Sequence, residues 1–247
     1  MKITKLVVLF NYQKILIGLF VSILFFVFSL LLNSTILGLI FKIISLIIFL
    51  NIIASIIASY ILYDKSDLYE LQKINKVVNI AKDNKAILIH ASFDPLSKKI
   101  ENEYPNLNLT VCDIYGNRHE HDKGIKTSKK IFPPNPKEIK IHPNKLPFEN
   151  ESQDFILAIT AVHEILNHET RVEFFKEAKR ILKDDGIIIV SEQFRNFTNF
   201  LFFNIGAFHF LSFKQWKKGI YDANLKIDGS EKITPFANML IIKKNIA

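Results

Sequence analysis

Polar side chains able to take part in chemistry follow two short apolar runs of the sequence. Asp113 follows residues 109–112, and His163 and Glu164 follow residues 154–160. A carboxylate accepts hydrogen bonds from ligand hydroxyls, and an imidazole titrates near neutral pH and so suits a general base. Structural roles are open as well: Asp113 as an Asx turn or helix cap, and His163 as a loop-end histidine bonded to the backbone.

The histidine-rich strings do not form a metal-binding pattern. The string HEILNH at 163–168 lacks the H-E-x-x-H spacing of zinc proteases, and His119-Glu120-His121 is too isolated a string to indicate a metal site. We therefore predict no metal site. Cys112 is the only cysteine, which excludes an intrachain disulfide and fits a reducing compartment.

The pattern around these residues alternates between strand and helix beyond residue 84. Strands are predicted at 86–89, 109–112, 138–141, 154–160, 187–190, 225–233 and 237–242, and helices at 95–104, 169–182 and 213–223. We expect the Asp185-Gly186 pair to end the second helix, and residues 114–137 to form a long loop with at most a short helix. This order predicts an α/β fold with an open sheet of about seven strands.

Residues 142–192 carry the features that relate the chain to a known family. They contain Leu146-Pro147-Phe148, then QDFI at 153–156, FFKEAKRIL at 174–182, KDDG at 183–186 and IIIVSE at 187–192. Their order and spacing resemble class I S-adenosylmethionine-dependent methyltransferases of the type 11 kind, over roughly residues 84–243. The resemblance implies a Rossmann-like methyltransferase sheet, S-adenosylmethionine as cofactor and methyl transfer as activity.

The resemblance also implies a set of site residues at the carboxyl ends of the strands, where open α/β sheets bind their ligands. Asp113 takes the place of the carboxylate that accepts both ribose hydroxyls. His163 falls where the family lines the methyl-transfer site, and is the catalytic candidate. The remaining cofactor-binding candidates are His90, Ala91, Ser92, His142 and Thr160.

The first loop departs from the family. His90, Ser92 and Asp94 stand where three glycines are usual, and Leu88 stands where an acid is common. Side chains narrow the approach of the backbone to a ligand and resist positive φ angles. We therefore expect the cofactor to bind in an altered pose, weakly or not at all.

The N-terminal quarter has the composition of membrane-spanning helices. Residues 15–32 are apolar or small and span about 27 Å as a helix, against a hydrocarbon core of about 30 Å. A second run at 36–62 carries one charge, Lys42, and all 24 acidic residues lie at or beyond Asp64. We predict a transmembrane hairpin at 1–63, an amphipathic linker near the membrane at 64–83, and a methyltransferase-like domain at 84–247. A buried hairpin of a soluble protein is the alternative.

A phenylalanine-rich segment follows the predicted fifth strand. Residues 194–213 contain eight phenylalanines, which suit an apolar acceptor or the bilayer interface as partners, although core packing explains them as well. The domain beyond residue 63 is only mildly basic and carries no nucleic-acid recognition motif, so nucleic acid is not an expected partner.

Three functions are compatible with these features. The first is a membrane-bound methyltransferase that acts on a lipid-like or membrane-associated small molecule. The second is a methyltransferase fold that has lost its cofactor and serves as a membrane scaffold or regulatory partner. A nucleotide-sugar or dinucleotide enzyme is the third. The missing glycines weigh against it as much as they weigh against a methyltransferase.

The lysine distribution predicts that both termini and the α/β domain are cytoplasmic. Lys2, Lys5 and Lys14 precede the first apolar run and five lysines follow the second within residues 65–85, whereas the outer end of the hairpin has Lys42 alone nearby. A C-terminal green fluorescent protein fusion should fluoresce, and a C-terminal alkaline phosphatase fusion should be inactive. The reverse pair of results would overturn the topology.

Overall fold

The chain forms two compact units. The computed structural model describes residues 3–33, 35–78, 80, 84–115 and 123–245, so the string at 119–121 lies outside the described residues. The units are Met1–Lys65 and Ser66–Ala247.

The first unit is a hairpin of two long helices, α1 (Ile3–Leu31) and α2 (Ile36–Tyr60). Thr35 caps α2, its hydroxyl accepting a hydrogen bond from the Gly38 amide. Both helices are long and apolar enough to cross a membrane by length and composition. Most of their large apolar side chains are exposed, which leaves an apolar surface around the whole hairpin.

Polar contacts fix the register of this hairpin. Ser22 and Ser45 face each other, and the hydroxyl of each donates to the carbonyl of the other at 2.9 and 2.8 Å. Such small polar residues let helix backbones approach closely in an apolar medium. A π-helical turn, Ile61–Lys65, continues α2 and brings the Asp64 carboxylate 2.7 Å from the amide of Ile3. Asp64 therefore satisfies the free amides that begin α1.

The second unit is a seven-stranded sheet with helices on its faces. Its strands are β1 (Lys85–His90), β2 (Asn108–Asp113), β3 (Ile139–Lys140), β4 (Gln153–Ile159), β5 (Leu182–Gln193), β6 (Leu225–Lys232) and β7 (Ala237–Lys244). Its α-helices are α3 (Gln72–Val77), α4 (Ser97–Glu103), α5 (Lys123–Ile131), α6 (His168–Ile181), α7 (Phe197–Phe203) and α8 (Phe213–Asp222).

The strand order is β3-β2-β1-β4-β5-β7-β6. Strands β1 to β5 are parallel, and β7 runs antiparallel to both β5 and β6. The predicted fold class, a Rossmann-like α/β sheet of about seven strands preceded by two long apolar helices, is confirmed. The direction of strand addition reverses between β1 and β4, which places the ligand crevice of such a sheet there.

The core explains why the central strands contain continuous apolar runs. Residues of β1, β4 and β5 are buried on both faces of the sheet. On one face, α6 packs Phe174 and Phe175 and α8 packs Trp216, all fully buried. Trp216 lies 6.5 Å from Phe175 and from Phe194, measured between ring centroids. This packing holds rigid the strand ends that carry the candidate residues.

The segment before β1, predicted as an amphipathic linker, contains two short helical segments between residues 66 and 78. They are a 3₁₀ turn, Asp67–Tyr69, and the short helix α3. Its apolar residues Leu68, Leu71 and Ile74 are buried.

The prediction that Asp185-Gly186 ends the helix is wrong. Helix α6 ends at Ile181, and Leu182 already pairs with Gln153 as the first residue of β5. A Cβ atom on Gly186 would lie 2.7 Å from the Leu182 side chain and 3.0 Å from the carbonyl oxygen of Asp154. Gly186 is therefore required by a close approach inside a strand.

Replacement of Gly186 by alanine should destabilise the α/β unit. The methyl group must displace a side chain and a neighbouring backbone, which costs about 1–3 kcal/mol. Fluorescence of Trp216, the single tryptophan, should report an earlier unfolding transition of the full chain in detergent. Gly206→Ala is the matched control, because its nearest neighbour would lie 3.9 Å away. Equal unfolding transitions for the two variants would contradict the role of Gly186 as a site of close approach.

Candidate functional site

The candidate cofactor residues meet where β1, β2 and β4 end. His90 at the end of β1 pairs in register with Asp113 at the end of β2. Ala91 and Ser92 continue from β1, and Thr160 follows β4 directly. These residues therefore lie at the carboxyl ends of neighbouring strands, on one edge of the sheet.

Asp113 is fully buried, and both oxygens of its carboxylate accept hydrogen bonds from other groups of the protein. Oδ1 accepts hydrogen bonds from the amides of Ser92 at 3.0 Å and Tyr115 at 2.9 Å. Oδ2 lies 3.3 Å from the Ser92 hydroxyl, which donates to it. The carboxylate ties the loop after β1 to the loop after β2, so a ribose would have to displace the Ser92 hydroxyl to reach Oδ2.

The loop after β1 keeps a left-handed conformation without glycine. Ser92 has φ of 58°, in the region that glycine adopts most easily. The two hydrogen bonds from Ser92 to Asp113 offset the cost of this conformation. The loop therefore makes at Ser92 a turn of the kind for which such loops normally use glycine.

Buried polar atoms without a hydrogen-bond partner lie in and near the same loop. Asp94 uses Oδ1 to cap α4, accepting from the amides of Leu96 at 3.0 Å and Ser97 at 2.8 Å, while its Oδ2 has no partner among the described residues. Nδ1 of His90 likewise has none, and Nε2 lies 2.9 Å from a carboxylate oxygen of Glu138 in a geometry that does not make a hydrogen bond. Buried polar groups are normally satisfied, so these atoms suit a polar ligand.

Tyr69 covers the strand ends from outside the sheet. Its hydroxyl lies 2.6 Å from the hydroxyl of Thr160, and its ring meets the Phe93 ring edge-on at 5.9 Å. Lys99 on α4 donates to the Tyr69 carbonyl at 2.8 Å. The crevice between β1 and β4 is thus partly filled by a side chain that sequence analysis had placed in a linker.

Two of the predicted cofactor residues make contacts of other kinds. His142 is exposed, and its Nδ1 lies 2.9 Å from the Asn144 side chain in the turn after β3. Ala91 is partly buried and packs against the hydrophobic core. Neither contact tests their predicted roles.

His163 forms a charged cluster at the end of β4. It lies in the 3₁₀ turn Val162–Glu164, and its Nδ1 is 2.8 Å from Oε2 of the buried Glu192 on β5. Burial opposes the charged form, but the negative charges and hydrogen bonds of Glu192 and Glu164 outweigh it and raise the pKa of His163 to about 10. At neutral pH the ring is a cation, so the general-base role predicted for it requires loss of this proton.

Two further side chains complete the cluster. Burial raises the pKa of Glu164, but hydrogen bonds from His163 and His209 prevail and hold it well below its ordinary value. His209 ends the 3₁₀ helix Asn204–His209, and its ring meets the His163 ring edge-on at 5.2 Å. Sequence analysis missed Glu192 and His209, since no spacing in the sequence links them to His163.

Arg171 fixes the loop that carries this cluster. Its side chain is buried on α6, and Nη1 donates to the carbonyls of Ile165 at 2.7 Å and Leu166 at 3.3 Å. The guanidinium therefore holds the turn after His163 and Glu164 against the core.

Comparison with known proteins supports the same assignment of the fold. The family described as "Methyltransferase domain" matches residues 99–190. No curated protein matches the chain.

Solved structures share the fold at low sequence identity. A SAM-dependent methyltransferase from Methanosarcina mazei is similar with a TM-score of 0.53 and 15% identity, over 71% of this chain and 98% of that one. An S-adenosylmethionine-dependent methyltransferase from Clostridium acetobutylicum gives 0.51 and 12%, over 73% and 92%. One from Aquifex aeolicus gives 0.50 and 12%, over 71% and 90%. The second unit therefore has the class I methyltransferase fold.

Proposed function

We propose that this protein is a membrane-anchored methyltransferase that uses S-adenosylmethionine. The observation that carries the proposal is Asp113 at the end of β2, beside the left-handed turn at Ser92, on the edge of the sheet where the strand order reverses. The match to a methyltransferase domain over residues 99–190 supports it.

Polar side chains at this edge of the sheet are suited to bind the polar groups of the cofactor. Asp113 would accept from the ribose hydroxyls once the Ser92 hydroxyl turns away, and Oδ2 of Asp94 has no partner among the described residues and would accept from the ammonium group of the methionine part. S-adenosylmethionine supplies a methyl group on a positively charged sulfur. The buried Glu192 and the partly buried Glu164 place negative charge at the end of β4.

The acceptor is proposed to be apolar and drawn from the membrane. Helix α7 and the 3₁₀ helix after it expose large apolar side chains, an apolar patch that consists of Phe197, Phe200, Leu201, Ile205 and Phe208. Exposed clusters of this kind mark ligand, partner or membrane surfaces. In contrast, Phe202 and Phe203 pack against Phe236 at 5.2 and 5.6 Å between ring centroids. The segment thus combines core packing with an exposed apolar surface.

The N-terminal hairpin is proposed to hold the enzyme in the bilayer. Its apolar exterior and the absence of acidic residues before Asp64 suit two spans. Tethering would keep the α/β domain beside a lipid-soluble acceptor, with both termini in the cytoplasm by the lysine distribution.

A scaffold without methyltransferase activity is the second candidate. Two observations favour it: both carboxylate oxygens of Asp113 are bonded within the protein, and Tyr69 is hydrogen-bonded to Thr160 over the crevice. A protein that never binds the cofactor would keep these contacts permanently.

Titration of the full chain in nanodiscs with S-adenosylmethionine distinguishes the methyltransferase from the scaffold. Asp113→Asn should weaken binding about 10- to 150-fold, because hydrogen bonds to a charged group contribute about 1.5–3 kcal/mol. Ser92→Gly should tighten it about 2- to 10-fold, since it frees Oδ2 for one more bond of about 0.5–1.5 kcal/mol.

Trp216 fluorescence provides the control that each variant is folded. If neither the natural chain nor Ser92→Gly binds the cofactor or its demethylated product at millimolar concentration, the methyltransferase proposal fails and the scaffold remains. Binding that Asp113→Asn leaves unchanged would place the ribose elsewhere.

The apolar patch should lie at the lipid interface when the chain is in a bilayer. Cys112 is fully buried, so a cysteine introduced as Ile205→Cys is the exposed thiol for a fluorescent label. Spin-labelled lipids in nanodiscs should quench this label strongly, because it would sit among the headgroups. A label at Lys226→Cys, an exposed position on β6, serves as control. Equal quenching at the two positions would contradict the bilayer contact.

A further inference from the structure

Three side chains at the end of β4 direct ligand atoms toward one point. Nε2 of His163 and Nε2 of His209 each lie 3.5 Å from Oε1 of Glu164. All three atoms lie within 4.8 Å of one another. They come from two separate segments, the turn after β4 and the 3₁₀ helix after α7, which the fold brings together.

These separations match the geometry of a bound transition-metal ion. Zinc binds imidazole nitrogen and carboxylate oxygen at about 2.0–2.2 Å, so two ligand atoms at a tetrahedral angle are about 3.4 Å apart. Both nitrogen-to-oxygen distances already have this length. His209 has a side chain that is 48% exposed, so a small rotation of its ring would bring its nitrogen nearer to that of His163.

A buried carboxylate orients the first of these ligands. Glu192, 2% exposed, has Oε2 2.8 Å from Nδ1 of His163, while its Oε1 accepts from the amide of Ala161 at 3.1 Å. With a proton held on Nδ1, the Nε2 atom is the one directed at Glu164. Metal-bound histidines almost always donate their second nitrogen to a carboxylate, a backbone carbonyl or a water, which fixes the ring and strengthens it as a ligand.

The charge at the cluster also favours a dication. Glu164 and Glu192 bring two negative charges into a region where their side chains are 22% and 2% exposed. A divalent ion bound there would neutralise both carboxylates.

We propose that His163, Glu164 and His209 form a binding site for a divalent first-row transition ion, with Glu192 as the carboxylate that orients His163. Two imidazoles and one carboxylate suit Zn²⁺, Co²⁺ or Fe²⁺, whereas Mg²⁺ and Ca²⁺ prefer oxygen ligands alone. Three protein ligands leave coordination positions open, and the exposed side of His209 gives access to them. This proposal departs from the sequence-based expectation that the protein has no metal site.

Calorimetric titration of the full chain with Zn²⁺ tests the site. The protein, freed of any affinity tag and of bound metal by chelation, is kept in nanodiscs without S-adenosylmethionine, so the result is independent of the proposed methyl transfer. We expect one high-affinity ion per chain. Co²⁺ should give visible absorption bands of a low-symmetry nitrogen and oxygen site, and Mg²⁺ should not compete.

Variants locate the ion. His209→Ala and Glu164→Gln should each lower the Zn²⁺ affinity at least tenfold and abolish the Co²⁺ bands, and Glu192→Gln should lower it about 10- to 100-fold through the orientation of His163. His168→Ala is the matched control, since that histidine contacts Asp222 and Lys218 on α8, and it should leave binding unchanged.

Two results would overturn the proposal. One is the absence of stoichiometric Zn²⁺ binding by the folded natural chain. The other is binding that persists in His209→Ala and Glu164→Gln but disappears when His119 and His121 are both replaced by alanine, which would move the ion to that string of the sequence.

Discussion

The buried carboxylate of Asp113 is the contact on which the candidate site depends. It lies at the end of β2, beside the end of β1, and holds the amides of Ser92 and Tyr115 in two successive loops. Removing a partner from a buried charged hydrogen bond costs more than the bond itself contributes, because the remaining donors are left unsatisfied. The same group therefore shapes the loop that a cofactor would contact and is one of the groups that would bind it.

The fold was predictable from the sequence where a single segment shows a clear hydrophobic pattern by itself. Buried parallel strands are apolar along their whole length, so 86–89, 154–160 and 187–190 stood out and correspond to β1, β4 and β5. Boundaries that depend on tertiary contact were not predictable. Gly186 resembles a helix terminator, but its role comes from the side chain of Leu182 and the carbonyl of Asp154, which meet it only in the folded sheet.

The candidate site was predictable only in part, for the same reason. Local order in the chain placed Asp113 and His163 at strand ends. It could not show that Glu192 lies behind His163, that His209 approaches Glu164, or that Tyr69 reaches Thr160, because each pair joins distant segments. The segment around Tyr69 has helical spacing that suits a membrane-surface linker, but its apolar residues Leu68, Leu71 and Ile74 are buried.

The missing glycines would oppose the proposed cofactor binding less than their number suggests. Ser92 already has the left-handed backbone. The conformational cost of the turn therefore lowers the stability of the folded protein and is not added when the cofactor binds. What opposes a ribose at Asp113 is the exchange of the Ser92 hydroxyl for a ligand hydroxyl, and replacing one hydrogen bond by another is nearly neutral. The contact between Tyr69 and Thr160 is a separate barrier, because a ligand in the crevice must either displace this side chain or pack against it. Affinity for the cofactor would then depend on how far the contacts to the adenine and methionine parts exceed the cost of moving Tyr69, rather than on the glycine-free loop.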